Sequence, residues 1–183
     1  QVQNKQYKVT SFLKRLEMLT NSRIAYHRHD HKRCINAALC RARELCDARK
    51  ARLTPIRETV LKTIWASHRP LGAYEIVDQM SQSETSAPRI LPPTVYRAIQ
   101  FLLDQGLIHR LSSLNAYIGC PFPGNYHSDF FLICEQCGST AECSDDQVDH
   151  AVKHAAGRAD FQVGSKVIEI VGICPEGQVG SRH

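Results

Sequence analysis

No stretch of this chain approaches the ~20 consecutive apolar residues that carry a helix across a bilayer, so a helical membrane span is not expected. The first 33 residues lack a continuous apolar core and a small-residue cleavage site, so no secretory leader is expected there. Internal repeats and low-complexity tracts are absent, which leaves out repeat architectures. A disulfide framework is missing too. Of eight cysteines, Cys34, Cys40 and Cys46 fall on one predicted helix, and the other five gather with histidines toward the C-terminal end. That clustering points to metal rather than disulfides, and to a reducing compartment, the cytoplasm.

Basic residues are scarce beyond position 110. Residues 111–183 carry 4 Lys and Arg against 9 Asp and Glu, a net of −5, whereas residues 1–110 carry 19 against 9, a net of +10. The two sum to the +5 of the whole chain. Such a split suggests that the first part meets a polyanion and the second does not. At 183 residues, 43% apolar and 22% charged, the chain has the composition of a globular protein with room for one large or two small domains.

What is present is a run of amphipathic segments. "CINAALCRARELCDARK", residues 34–50, places Ile35, Ala38, Leu39, Ala42 and Leu45 on one helical face. In "LTPIRETVLKTIW", Thr54 is a natural N-cap and Pro55 suits the first helical position. Ile56, Val60, Leu61, Ile64 and Trp65 form its apolar stripe, and Pro70 and Gly72 are expected to end it. A third helix is expected over 73–80. A fourth follows the tandem proline of "LPP", with Val95, Ile99, Leu102 and Leu103 inward and Gly106 as its stop. "LIHRLSSLNAYIG" reads as two short strands around a polar turn. Three helices and a β-hairpin in that order make a winged helix-turn-helix. The helix before the wing would then lie in the major groove of DNA. Its outer face carries Thr94, Tyr96, Arg97 and Gln100, and Arg97 can fork onto a guanine edge. Tyr74 and Arg57 are candidates for the phosphate backbone. After the linker "CPFPGNY", a strand near 129–134, a Cys-x-x-Cys knuckle, a helix near 145–157 and a strand near 161–173 are expected.

Cys134 and Cys137 call for a second pair to close a tetrahedral zinc site. Cys174 starts one, but position 177, which should finish it, is glycine. Cys143 and His183 are other candidates for the fourth place, as is water. Separately, His109, Cys120, His127 and Glu142 offer imidazole, thiolate and carboxylate, and a thiolate biases a site toward zinc. The His-rich "HRHDHKRC" (His27, His29, His31, Cys34) reads as a solvated tail rather than a site. An enzyme is not expected. The zinc-deaminase pattern of His-x-Glu with Pro-Cys-x-x-Cys is echoed only by His127 and Asp129, with the wrong acid and no proline before Cys134. A thioredoxin-like role for the Cys-x-x-Cys lacks its strand-to-helix setting.

The segments "LTPIRETVLKTIWASHRPLGAYEI", "PPTVYRAIQFLLDQGLIHR", "NAYIGC", "HSDFFLICEQCG" and "KVIEIVGICPEG" resemble the ferric-uptake-regulator family, most of all its zinc-uptake-regulator branch, over about residues 34–176. The resemblance implies an α+β protein with an N-terminal extension (1–33), a winged-helix DNA-binding domain (34–119), a hinge linker (120–126) and a small α/β dimerisation and metal-binding domain (127–183). It implies a homodimer that binds operator DNA when loaded with zinc and controls zinc-homeostasis genes, with no small-molecule substrate and no membrane partner. By the same resemblance, His109, Cys120, His127 and Glu142 match the regulatory ligands, and Cys134, Cys137 and Cys174 match three of four structural ones. Tyr74, Tyr96 and Arg97 match DNA-contacting positions. Gly177 departs from the family's fourth cysteine. "YHSDFFLIC" departs from the His-rich linker of iron sensors, and with Cys120 this favours zinc over an iron- or peroxide-sensing regulator of the same fold.

Overall fold

A computed structural model describes residues 31–66, 68–82, 91–124, 129–164 and 166–180. Two units emerge, one running from His29 to Tyr126 and one taking in His127–His183. Residues 1–30, with His27 and His29, lie outside the described residues, whereas His31 and Cys34, expected in a solvated tail, fall on the first helix. Among the described residues no helix is long and apolar enough to cross a membrane.

The first unit opens with α1 (His31–Ala48). Ala38, Ala42 and Cys46 recur every four residues and are buried on one face. Cys40, on the opposite face, is exposed, and its thiol donates to Glu44 at 3.4 Å. Helix α2 (Pro55–Trp65) buries Val60, Leu61 and Ile64. Thr54 holds the N-cap position, but its hydroxyl makes no capping bond; the Thr54 carbonyl accepts the Glu58 N–H at 3.0 Å instead. Arg43 of α1 grips the Glu58 carboxylate through two bonds of 2.7 and 2.8 Å. The helix stops at Trp65, before Pro70 is reached.

Strand β1 (Leu71–Gly72) leads into α3 (Ala73–Gln82). Glu75 reaches back to the Gly72 N–H at 2.6 Å, the return half of a capping box. Helix α4 (Pro92–Asp104) includes both prolines in its first turn instead of starting after them. Proline's fixed φ suits the first helical position, where an N–H has no intrahelical partner anyway. Gly106, at φ 66°, takes the left-handed position past the helix end, and Leu107 closes back on the Leu102 carbonyl at 2.9 Å. Strands β2 (Ile108–Leu111) and β3 (Ala116–Gly119) form the wing, and β1 adds to the far edge of β3. A two-residue strand carries no alternation, so β1 has no signature in the sequence. One core of Val60, Leu61, Ile64, Ile76, Val95, Ile99 and Leu102 joins these helices to the wing residues Leu107 and Ile108.

The second unit is a three-stranded sheet, β4 (Asp129–Cys134), β5 (Thr140–Ser144) and β6 (Glu169–Gly172), in the order β5-β4-β6. Helices α5 (Asp146–Gly157) and α6 (Pro175–Gly180) complete it. Asp145 caps α5, accepting the Gln147 N–H at 2.7 Å. The strand expected over 161–173 shrinks to four residues. Phe161 and Val167 are exposed, and pairing begins only where the Ile168 carbonyl accepts the Phe131 N–H. Strand β5 and helix α6 were not expected. The buried run of β5 is Thr140, Ala141 and Glu142, too polar and without the alternation that marks a strand.

Strand β3 approaches α2 so closely that a Cβ on Gly119 would sit 2.2 Å from the Trp65 ring. Gly119→Ala should therefore displace Trp65 and cost about 1–3 kcal/mol, the range for overpacking. Urea unfolding of the variant checks this, and an unchanged midpoint would contradict the close packing.

Candidate metal centres and the outward face of helix α4

Three thiols converge in the second unit. Cys134 ends β4, Cys137 follows in the turn, and Cys174 sits two residues past β6. Their sulfurs all lie within 4.8 Å of one another, and those of Cys137 and Cys174 are 3.7 Å apart. Thiolates placed tetrahedrally at about 2.3 Å from zinc are about 3.8 Å apart, so this spacing fits the ion. Backbone groups prepare the sulfurs. The Cys174 N–H donates to the Cys134 sulfur and the Gly177 N–H to the Cys174 sulfur, each at 3.4 Å. Burial works against a thiolate at Cys134, yet the N–H groups of Cys137, Cys174 and Gln136 outweigh it and hold the thiol down to about 6. Cys174 is pushed up, by burial first and then by the neighbouring thiols. Clustered thiols resist joint ionisation unless a cation is shared among them. Cys143 faces Phe130 across the β4–β5 ladder and is not one of this trio. His183 lies outside the described residues.

In the first unit the wing brings His109 and Cys120 together, with a ring nitrogen and the sulfur within 4.8 Å. His109 pairs with Ile118 across β2 and β3, and the Cys120 N–H extends that ladder to the Leu107 carbonyl at 3.0 Å. Cys120 is buried. Burial lowers the His109 imidazole to about 4, so it stays neutral, the form that binds metal. In the second unit Glu142 is only 8% exposed, opposite Phe131, and burial raises its carboxyl to about 8. His127 lies outside the described residues.

On α4, Thr94, Tyr96, Arg97 and Gln100 face outward while Val95, Ala98, Ile99 and Leu102 are buried. Tyr74, at the start of α3, is 83% exposed, and its hydroxyl bonds to that of Tyr96. Gln100 is tied to Asp104 at 2.8 Å. Arg57 differs from this outward set. Its guanidinium lies 3.5 Å over the Phe101 ring and donates to the Arg52 carbonyl.

Sequence reasoning missed two contributors to the thiol centre. One is the Gly177 N–H, which no side-chain pattern announces. The other is the backbone N–H of Gln136, which helps hold the Cys134 thiol down.

The sequence pattern of the Ferric uptake regulator family matches residues 48–171. The Zinc uptake regulation protein of Escherichia coli (strain K12) is 35% identical over 137 residues, spanning 74% of this chain and 78% of that protein. A solved zinc uptake regulator complexed with zinc and DNA is 30% identical, with a TM-score of 0.71 over 85% of this chain and all of that one. The holo form of XcZur is 37% identical, with a TM-score of 0.67 over 77% of this chain and 96% of that one.

With metal chelated away, Glu142 holds its proton more tightly in the folded chain than in the unfolded one. Its stability contribution is therefore full below the ordinary range near 4.5 and is lost as pH rises toward 8, at no more than about 1.4 kcal/mol per pH unit for one proton. Glu142→Gln should remove that loss, so the variant should gain on the parent between pH 5 and pH 8 in metal-free unfolding. Parallel curves would show that the carboxyl is not buried.

Proposed function

The chain belongs to the ferric uptake regulator family, and on that premise we propose that it is a zinc-responsive transcriptional regulator. In this reading it binds operator DNA as a homodimer in the cytoplasm, controls genes of zinc homeostasis and catalyses no reaction. The observation that carries the reading is the imidazole–thiol pair of His109, on the first wing strand, and Cys120, just past the second, beside the helix that presents Thr94, Tyr96 and Arg97. The relatives support it: they include a zinc uptake regulator with zinc and DNA bound. The exposed Val167 and Val171, at and just before β6, suit a self-association surface.

His109 and Cys120 would share zinc with His127 and Glu142. An ion held from both sides of the linker restricts how the two units are oriented. In a two-fold dimer that orientation sets the spacing of the two α4 helices, which DNA requires to match successive major grooves, about 34–36 Å apart. Zinc thus shifts the population toward the DNA-binding form, and by linkage DNA tightens zinc binding by the same factor. Cys134, Cys137 and Cys174 would hold a separate structural zinc. Arg97 reads a base edge, and Tyr74, Thr94 and Tyr96 contact backbone or thymine methyls. Arg57 reaches the backbone only by leaving Phe101.

The deciding experiment is fluorescence anisotropy on operator duplex with zinc, iron(II) or manganese(II), with and without peroxide. Zinc should restore binding to the stripped protein and peroxide should leave it intact. Binding restored by iron alone and abolished by peroxide would instead identify an iron or peroxide sensor. Cys120→Ser should lose the zinc dependence yet remain a dimer by sedimentation. Arg97→Ala should weaken specific binding by about 1–3 kcal/mol, the worth of one bidentate base contact. Zinc affinity that is equal with and without operator would remove the hinge mechanism.

A further inference from the structure

The thiol centre has three protein sulfurs where a structural zinc takes four ligands. Position 177 faces the centre through its N–H, bonded to the Cys174 sulfur, and carries no side chain. A Cβ there would stand 2.6 Å from the Gln136 carboxamide oxygen and 2.9 Å from Ile173 Cγ2. A side chain at 177 therefore enters only if the flexible Gln136 carboxamide and Ile173 move aside. Cys134 and Cys174 also line a cavity of about 140 Å³, whose other walls include Leu132, Ile170, Ile173 and Pro175. One water needs only about 10–15 Å³. Among the described residues the centre therefore offers three ligands, and two of its cysteines border room for a small molecule.

We propose that Cys134, Cys137 and Cys174 hold zinc with an exchangeable fourth ligand, water at rest and a low-molecular-weight thiol when one is abundant. On exchange the thiol sulfur bonds to zinc, its proton goes to solvent and the water leaves. No electrons are transferred. The centre then responds to the thiol supply while the wing site responds to zinc. This rests on reading the three cysteines as a zinc site and is independent of DNA binding.

The test uses the full chain carrying Cys120→Ser, so that the wing site contributes no sulfur, loaded with cobalt(II) in place of zinc. Titration with 2-mercaptoethanol should raise the sulfur-to-cobalt charge-transfer absorption by roughly a third as three thiolates become four. Adding Gly177→Cys should give the higher absorption from the start, with no response to thiol and at least tenfold slower metal loss to a chelator. The parent chain, titrated in parallel, should show the same increment above its wing-site signal, so the test does not depend on either variant folding. Absence of any thiol response in the metal-loaded parent would overturn the proposal, since the fourth ligand would then be fixed or the position closed. A chain that binds no metal at these cysteines, with two thiols lost to a Cys137–Cys174 disulfide, would overturn it as well. Neither result bears on zinc-dependent DNA binding, which the anisotropy experiment reads separately.

Discussion

The parallel pairing of β6 with β4 governs the second unit. Strand β4 is central, and only β6 brings the C-terminal segment to its end. The register sets Cys134 beside Gly172, and the Glu135 N–H locks onto the Gly172 carbonyl at 2.9 Å. From there the chain turns into α6 and delivers the Cys174 N–H to the Cys134 sulfur across 40 positions of sequence. Backbone pairing thus assembles the thiol centre. Closing so long a loop costs conformational entropy, which the ladder and the buried side chains of Phe131 and Ile133 offset. A zinc ion would add a cross-link at the same end of the sheet.

The first unit solves a different problem, placing two candidate ligands and the outward residues of α4 on one packed core. Gly106 ends α4 and redirects the chain into β2 within two residues, so His109 follows closely on the helix that carries Arg97. Cys120 is held by the Leu107 carbonyl and by the fit of neighbouring Gly119 against Trp65. Burial keeps His109 neutral and therefore able to bind metal. A displacement of His109 is accordingly felt at α4, because close-packed side chains between them leave little slack.

Much of this was legible in the linear sequence. The stripes of α2 and α4 predict the observed core because 3.6-residue periodicity follows directly from burying one face. Gly106 was legible because a left-handed residue past a helix end favours glycine. The Cys-x-x-Cys and the opposed charges of the two halves were plain as well. Less legible were features fixed by distant partners. Thr54 occupies a cap position without capping. Strand β1 exists only because β3 offers it an edge. Strand β5 hides among polar residues, and Arg57 turns to Phe101 instead of outward.

Sequence alone determined the order of helices and wing, the identity of the candidate ligands and the absence of a cysteine at 177, since each depends on local periodicity or on the residue present. Tertiary structure decided which ligands meet. It brought Cys174 to Cys134 and Cys137 and left Cys143 outside that trio, and it set His109 beside Cys120. It also showed that Gln136 and Ile173 crowd the place where a side chain at 177 would stand. Such convergence depends on strand register and close packing between segments far apart in the chain, and no local pattern encodes either.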